Sequence, residues 1–128
     1  MNSKLYVYGV DTDPAKVAAA RAKFDALGIY GTRVTILHVG DLNKLPFTGR
    51  FAELVVSSKA LTEGTAFLQA DTVGEMLSPY LGAACLGETD KLTVTHRGPV
   101  KGAGNWTHFY ADAHNSYCGT DTALHGPL

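Results

Sequence analysis

The chain has 128 residues, of which 45% are hydrophobic and 18% are charged, and its formal net charge is −1. This composition predicts a globular protein with a hydrophobic core. Because the charges are spread along the chain with no basic excess, a nucleic-acid partner is not expected. No apolar run reaches the roughly 20 residues that cross a bilayer, and no basic-then-apolar leader opens the sequence, so we expect a cytoplasmic protein without a membrane segment.

The first predicted elements are a strand and a helix. The apolar run Leu5 to Val10 is typical of a parallel strand that is buried on both faces. After Asp11, the sequence Thr12-Asp13-Pro14 predicts a helix start, because a capping side chain accepts an orphan amide proton and proline in the first turn needs no acceptor. The helix should end at Gly28 and bury four side chains at helical spacing, those of Val17, Ala20, Phe24 and Leu27.

Two more strands are predicted in the first half, Arg33 to Val39 and Phe51 to Ser57, with Gly40-Asp41 closing the former. Strand, helix, strand, loop and strand in this order favour parallel pairing with right-handed crossovers. Partial alternation of apolar residues in Arg33 to Val39 also fits an edge strand.

The second half predicts a helix from Thr72 to Leu81 and then strands at Ala83 to Leu86 and Lys91 to Thr95. The helix should end at Gly82 and bury one side of its surface, namely Val73, Met76, Leu77 and Tyr80. The glycines and proline of Gly98 to Gly104 predict a loop or linker. We therefore predict two regions, an α/β domain at 1–97 and a linker with an aromatic tail at 98–128.

Five segments in order resemble consecutive motifs of class I S-adenosylmethionine (SAM) methyltransferases: Tyr8-Gly9-Val10-Asp11, Ala18-Ala19-Ala20-Arg21, Arg33-Val34-Thr35, Gly40-Asp41-Leu42 and Leu54-Val55-Val56-Ser57. The resemblance implies an α/β fold with a Rossmann-like, mostly parallel sheet and flanking helices. In that family the acid that ends the second strand binds the ribose hydroxyls, and the acid after the third binds the adenine amino group. By resemblance, Asp11 and Asp41 take these roles and Leu42 packs on the adenine ring, with SAM as the cofactor.

The family's first strand and its glycine-rich loop have no counterpart in this sequence. The glycines at 98, 102 and 104 do not replace that loop, because they precede no clear helix. We therefore expect a truncated domain without independent catalysis that retains at most weak SAM or nucleoside binding, and no catalytic residue is predicted. Two alternatives stay open: a small active SAM-using enzyme with a rearranged or intersubunit pocket, and a non-catalytic interaction or self-assembly module.

The missing strand would lie at the centre of the sheet, between the strand that ends at Asp11 and the one that ends near Ser57. Each buried backbone group left without a partner costs about 1–3 kcal/mol, and a domain is stable by only about 5–15 kcal/mol. We therefore expect one of three compensations. The two strands pair with each other, a second copy completes the sheet as a homo-oligomer, or the aromatic tail folds back over the exposed edge.

The last third resembles the segment that leads into pyrroloquinoline-quinone-type β-propellers, on the residues Arg97-Gly98-Pro99, Gly104-Asn105-Trp106-Thr107-His108, Tyr110, Asp112 and Asn115. In large bacterial proteins of that kind a methyltransferase-like domain precedes the propeller, so the two resemblances together indicate a piece of a longer architecture. The family's quinone-binding residues lie in the blades, and none is carried over to this chain.

Simpler interpretations accompany these predictions. The tail holds five residues of metal-ligating types, His108, Asp112, His114, Cys118 and His125, but their spacing matches no established motif and we expect no metal. The two cysteines form no CxxC pair, which argues against a disulfide framework. Asp11 and Asp41 have structural alternatives as well, since the first can begin a turn and cap a helix and the second can shape a Gly-Asp turn.

Overall fold

The computed structural model describes residues 4–105, 107 and 109–123 and shows an α/β chain. Its elements in chain order are β1 (Val7–Asp11), α1 (Pro14–Ala26), β2 (Val34–His38), β3 (Leu54–Val56), α2 (Ser58–Glu63), α3 (Ala70–Met76), β4 (Ala83–Leu86) and β5 (Thr93–His96). The predicted α/β class is confirmed at this level. Within the described ranges, no helix is long and apolar enough to cross a membrane.

The strands form two small sheets. In the first, β1 and β2 pair in parallel. In the second, the order is β3-β4-β5, with β3 and β4 parallel and β4 and β5 antiparallel. The chain also divides into two compact units, the first holding residues up to 48 together with 66–72, and the second holding 49–65 and the residues from 73 onward. The boundary predicted from the sequence, between 1–97 and 98–128, differs from the boundaries of these two units and stays a prediction.

Helix α1 begins and ends as the sequence predicts. The Asp13 carboxylate caps it, because its Oδ1 accepts hydrogen bonds from the amides of Ala15 at 2.8 Å and Lys16 at 3.4 Å. Pro14 occupies the first turn. At the other end Gly28 has a φ of 68°, and the amide of Ile29 turns back to the carbonyl of residue 24 at 3.1 Å. The local signals of capping and chain reversal therefore set both boundaries.

The core of the first unit lies between α1 and the β1–β2 sheet. Its buried members are Val17, Val34 and Ile36, and Ala20, Phe24, Ile29 and Tyr30 pack against them. The predicted burial of Leu27 is wrong, since 62% of this residue is exposed. The helix has already ended at residue 26, so the chain turns there and Ile29 and Tyr30 reach the core instead.

The expectation that β1 is buried on both faces is also wrong. Val7 and Tyr8, which point to opposite faces, are 49% and 53% exposed. Helix α1 covers the face that carries Val34 and Ile36. On the other face, Tyr8 meets the ring of Phe47 edge to face at a centroid distance of 5.8 Å.

The predicted strand at 51–57 forms only in part. The amides of Phe51 and Ala52 donate to the carbonyl of Met76 at 3.0 and 2.9 Å, so the start of the segment pairs with the end of α3 and leaves β3 with three residues. The end of the segment caps α2, a short helix that was not predicted. There the hydroxyl of Ser57 accepts the amide of Ala60 at 3.2 Å.

Helix α3 ends at Met76, well before the predicted stop at Gly82. Pro79 disfavours the helical conformation at Ser78, whose amide donates to the carbonyl of Ala52 at 2.8 Å. As a result Tyr80, predicted on the buried side, is 66% exposed. Val73 and Leu77 are buried as predicted. Gly82 does not end the helix but allows a close approach of the backbone, because an added Cβ would lie 2.5 Å from the carbonyl oxygen of Ser78.

Strand β4 has the predicted bounds, whereas β5 begins two residues later than predicted and runs antiparallel to β4. Residues 98–104 form no helix or strand, which confirms the predicted loop. The loop is not a free linker, however. The amides of Thr122 and Ala123 donate to the carbonyl of Gly102 at 2.7 and 3.1 Å, so the end of the tail is attached to it.

Gly104→Ala is expected to detach residues 120–123 from this loop. An added Cβ would lie 2.4 Å from the backbone nitrogen of Asp121, and neither backbone moves without straining the bonds to Gly102. Gly98→Ala is the matched control, because nothing lies within 4 Å of a Cβ placed there. Amide hydrogen exchange at Thr122 and Ala123 should be faster in the first variant and unchanged in the second, and equal exchange in both would contradict this account.

Candidate functional site

The candidate site lies where β1 and β2 end. Their register pairs Asp11 with His38, so the loops that follow the two strands meet at the same edge of the sheet. The amide of Val39 donates to the carbonyl of Asp11 at 3.0 Å, and Nε2 of His38 lies 3.2 Å from the carbonyl oxygen of Thr12. We call this region, residues 11–13 and 38–43, the carboxyl edge.

Asp11 begins the turn into α1, as its simpler interpretation predicts. The side chain is partly buried, and its Oδ1 accepts the amide of Asp13 at 2.8 Å. Its Oδ2 accepts no hydrogen bond from the residues that the structure describes. Since an ionised carboxylate has about four acceptor positions, the Asp11 turn leaves most of them available to a ligand.

Asp41 has the same arrangement on the neighbouring loop. Its Oδ1 accepts the amide of Asn43 at 2.8 Å, and its carbonyl accepts the amide of Lys44 at 3.1 Å. Its Oδ2, too, accepts nothing from the part of the chain described. Leu42, between the acid and Asn43, is half-buried. The structure therefore brings the three predicted binding residues, Asp11, Asp41 and Leu42, to one edge of one sheet.

His38 belongs to the carboxyl edge and was not predicted. Because the carbonyl of Thr12 only accepts, the bond at 3.2 Å requires a hydrogen on Nε2, which leaves Nδ1 of the neutral ring as an acceptor. The side chain is exposed. The sequence indicates His38 by its position at the end of β2. In a parallel pair, a residue there lies beside the acid that ends the neighbouring strand, β1.

Asn43 was not predicted either, and it brings a distant segment to the site. Its Nδ2 donates to the carbonyl of Phe67 at 2.9 Å, and its Oδ1 accepts the amide of Gln69 at 2.8 Å. Residues 66–72 are thereby held in the first unit although they follow β3 in the chain. No local pattern in the sequence indicates this contact.

The aromatic tail forms a closed turn around Asp112. Its Oδ1 accepts the amides of His114 at 2.9 Å and Ser116 at 3.1 Å. Hydrogen bonds from the hydroxyl and then the amide of Ser116, with those from the amides of His114 and Asn115, hold the pKa of the Asp112 carboxyl below its ordinary value. The ring of Tyr110 packs on those of two neighbours, with centroid distances of 4.7 Å to Phe109 and 4.4 Å to Tyr117.

Three of the five metal-ligand candidates in the tail, Asp112, His114 and Cys118, lie within the described residues. Within the described ranges, no three His, Cys, Asp or Glu side chains lie together as a metal site requires. Two of the five candidate ligands, His108 and His125, lie outside the described residues, as does Trp106 of the propeller-like segment. Both cysteines, Cys85 and Cys118, are free thiols.

Comparisons of the chain with protein-family models, with curated proteins and with solved structures gave no match. The carboxyl edge is therefore the basis on which a function is assigned. It combines acceptor oxygens on two adjacent loops, an apolar side chain at Leu42 and a second segment fixed by Asn43.

Proposed function

We propose that this chain is a methyltransferase-related, Rossmann-like domain without independent catalysis, and that its carboxyl edge binds SAM or a related nucleoside weakly. The proposal is carried by one observation, the parallel pairing of β1 and β2 that puts the loops of Asp11 and Asp41 side by side. In open α/β sheets, ligands bind outside the carboxyl ends of the strands.

The chemistry of the two acids suits a nucleoside. A ribose diol presents two hydroxyl donors, and a carboxylate can accept both in charge-assisted hydrogen bonds. Asp11 can accept hydrogen bonds from the diol while its turn is maintained, because only one of its oxygens accepts the amide of Asp13. Asp41 retains the same capacity for the exocyclic amino group of adenine, and Leu42 supplies apolar surface for the ring.

The charge of the carboxyl edge favours uncharged or cationic ligands. Three carboxylates, those of Asp11, Asp13 and Asp41, lie on its two loops. Their negative potential attracts the sulfonium and ammonium groups of SAM and repels phosphate. The site is therefore expected to prefer SAM and adenosine over adenosine phosphates.

The strand pairing supports the Rossmann-like part of the proposal. β1 pairs in parallel with β2, and β3 pairs in parallel with β4. Parallel strands joined through helices are the repeating unit of open α/β sheets.

Calorimetry with adenosine and the Asp11→Asn variant tests the binding proposal. We expect wild-type protein to bind adenosine with a dissociation constant of about a millimolar, and more weakly when a phosphate is present on the ribose. Asp11→Asn should weaken binding about tenfold, since it removes the charge that strengthens the ribose hydrogen bonds. The variant keeps the turn, because an asparagine oxygen accepts the same amide.

Asp25→Asn, at an exposed position near the end of α1, is the matched control for the loss of one negative charge. It should leave the affinity for adenosine unchanged. Absence of heat at millimolar adenosine, or equal weakening by both variants, would defeat the proposal.

A second proposal follows from the exposed face of the other sheet, and it makes the chain a self-assembly module. The register of β3, β4 and β5 places Leu54, Val56, Cys85 and Val94 on one face. Leu54, Val56 and Val94 are 62%, 65% and 56% exposed, so three apolar side chains of this face are open to solvent. A formal net charge of −1 leaves little repulsion between copies, so a second copy is the proposed partner for this face.

Light scattering over a range of concentrations distinguishes this second proposal. Wild-type protein should approach twice the monomer mass, and Val94→Lys should remain monomeric because a charge on the apolar face opposes its burial. Thr95→Lys is the matched control, since this exposed neighbour points to the opposite face of β5. A wild-type protein that stays monomeric at high concentration would rule out self-assembly.

A further inference from the structure

The side chain of Asn43 links two segments that are far apart in sequence. It donates to the carbonyl of Phe67 and accepts from the amide of Gln69, at 2.9 and 2.8 Å. Both hydrogen-bonding ends of its amide are thus used on the backbone of one short segment. An asparagine amide carries the same donor and acceptor groups as a backbone peptide, so it can pair with a segment as a neighbouring strand does. This pairing fixes the position and direction of the segment.

The backbone of Asn43 is bound to the Asp41 carboxylate. Its amide donates to Oδ1 of Asp41 at 2.8 Å, while its side chain holds the segment 67–69. The orientation of the acid and the position of the segment are therefore coupled through a single residue. Leu42 lies between Asp41 and Asn43 in the chain, and both Leu42 and Phe67 are half-buried.

We propose that Asn43 is a positioning residue of the carboxyl edge, which holds residues 67–69 beside the Asp41 turn so that Leu42 and Phe67 bound the base of the ligand. This inference rests on the proposed nucleoside binding. It adds that Asn43 sets the direction in which Asp41 accepts from the base, and that Phe67 joins Leu42 beside it. Adenine offers an amino donor to that acid, whereas hypoxanthine offers a carbonyl oxygen that the carboxylate repels.

The affinities of Asn43→Ala for adenosine and inosine, measured by calorimetry, test the inference. In wild-type protein adenosine should bind more tightly than inosine. In the variant, the affinity for adenosine should fall about tenfold and that for inosine much less, so their ratio should approach one. Hydrogen exchange at the Gln69 amide should also become faster, because its acceptor has been removed. Asn105→Ala, at an exposed loop position, is the control and should change neither affinity nor exchange.

Asn43→Gln is the second variant if the alanine protein does not fold. It keeps the amide group but moves it by one methylene, and it should lower the ratio as well. A ratio that stays at the wild-type value while the Gln69 amide exchanges faster would overturn the inference and leave Asn43 with a structural role alone. Absence of any nucleoside binding by wild-type protein would instead defeat the proposed function, and this inference with it.

Discussion

The parallel register between β1 and β2 is the constraint on which the site depends. It is fixed by burial, because Val34 and Ile36 of β2 face the helix and meet Val17 there. A slip by one residue would turn these side chains to the other face and leave the core of the first unit unfilled. The same register pairs Asp11 with His38 and so brings the two acidic loops together. The packing of β2 against α1 thus determines which groups meet at the carboxyl edge.

The elements that the sequence predicts well are those with local signals. Asp13, Pro14 and Gly28 act within a few residues of the helix ends that they specify, and they mark α1 correctly. Burial was harder to predict because it depends on what packs against each face. Leu27 and Tyr80 have the right periodicity for a buried side, yet both are exposed, since their helices end before reaching them.

The residues of the candidate site also fall into two groups, those that the sequence indicates and those that it does not. Asp11 and Asp41 follow predicted strands, so their place at an edge of the sheet could be anticipated from their order in the chain. His38 has a signal in its place at the end of a strand, but Asn43 could not be anticipated, because its side-chain partners are backbone atoms 24 and 26 residues away. A side chain that bonds to a distant carbonyl leaves no periodic pattern in the sequence. Both acids also cap turns, and this local role does not compete with ligand binding because each carboxylate has a second oxygen.

A titration of isotope-labelled protein with adenosine, followed by nuclear magnetic resonance, tests most directly whether the two acidic loops form one site. The amides to observe are those of Asp13 and Asn43, which donate to the carboxylates of Asp11 and Asp41. Both signals should shift with the same dissociation constant, while the signals of β5 should stay in place. Shifts at only one of these amides, different constants for the two, or no shift at either would contradict a single site.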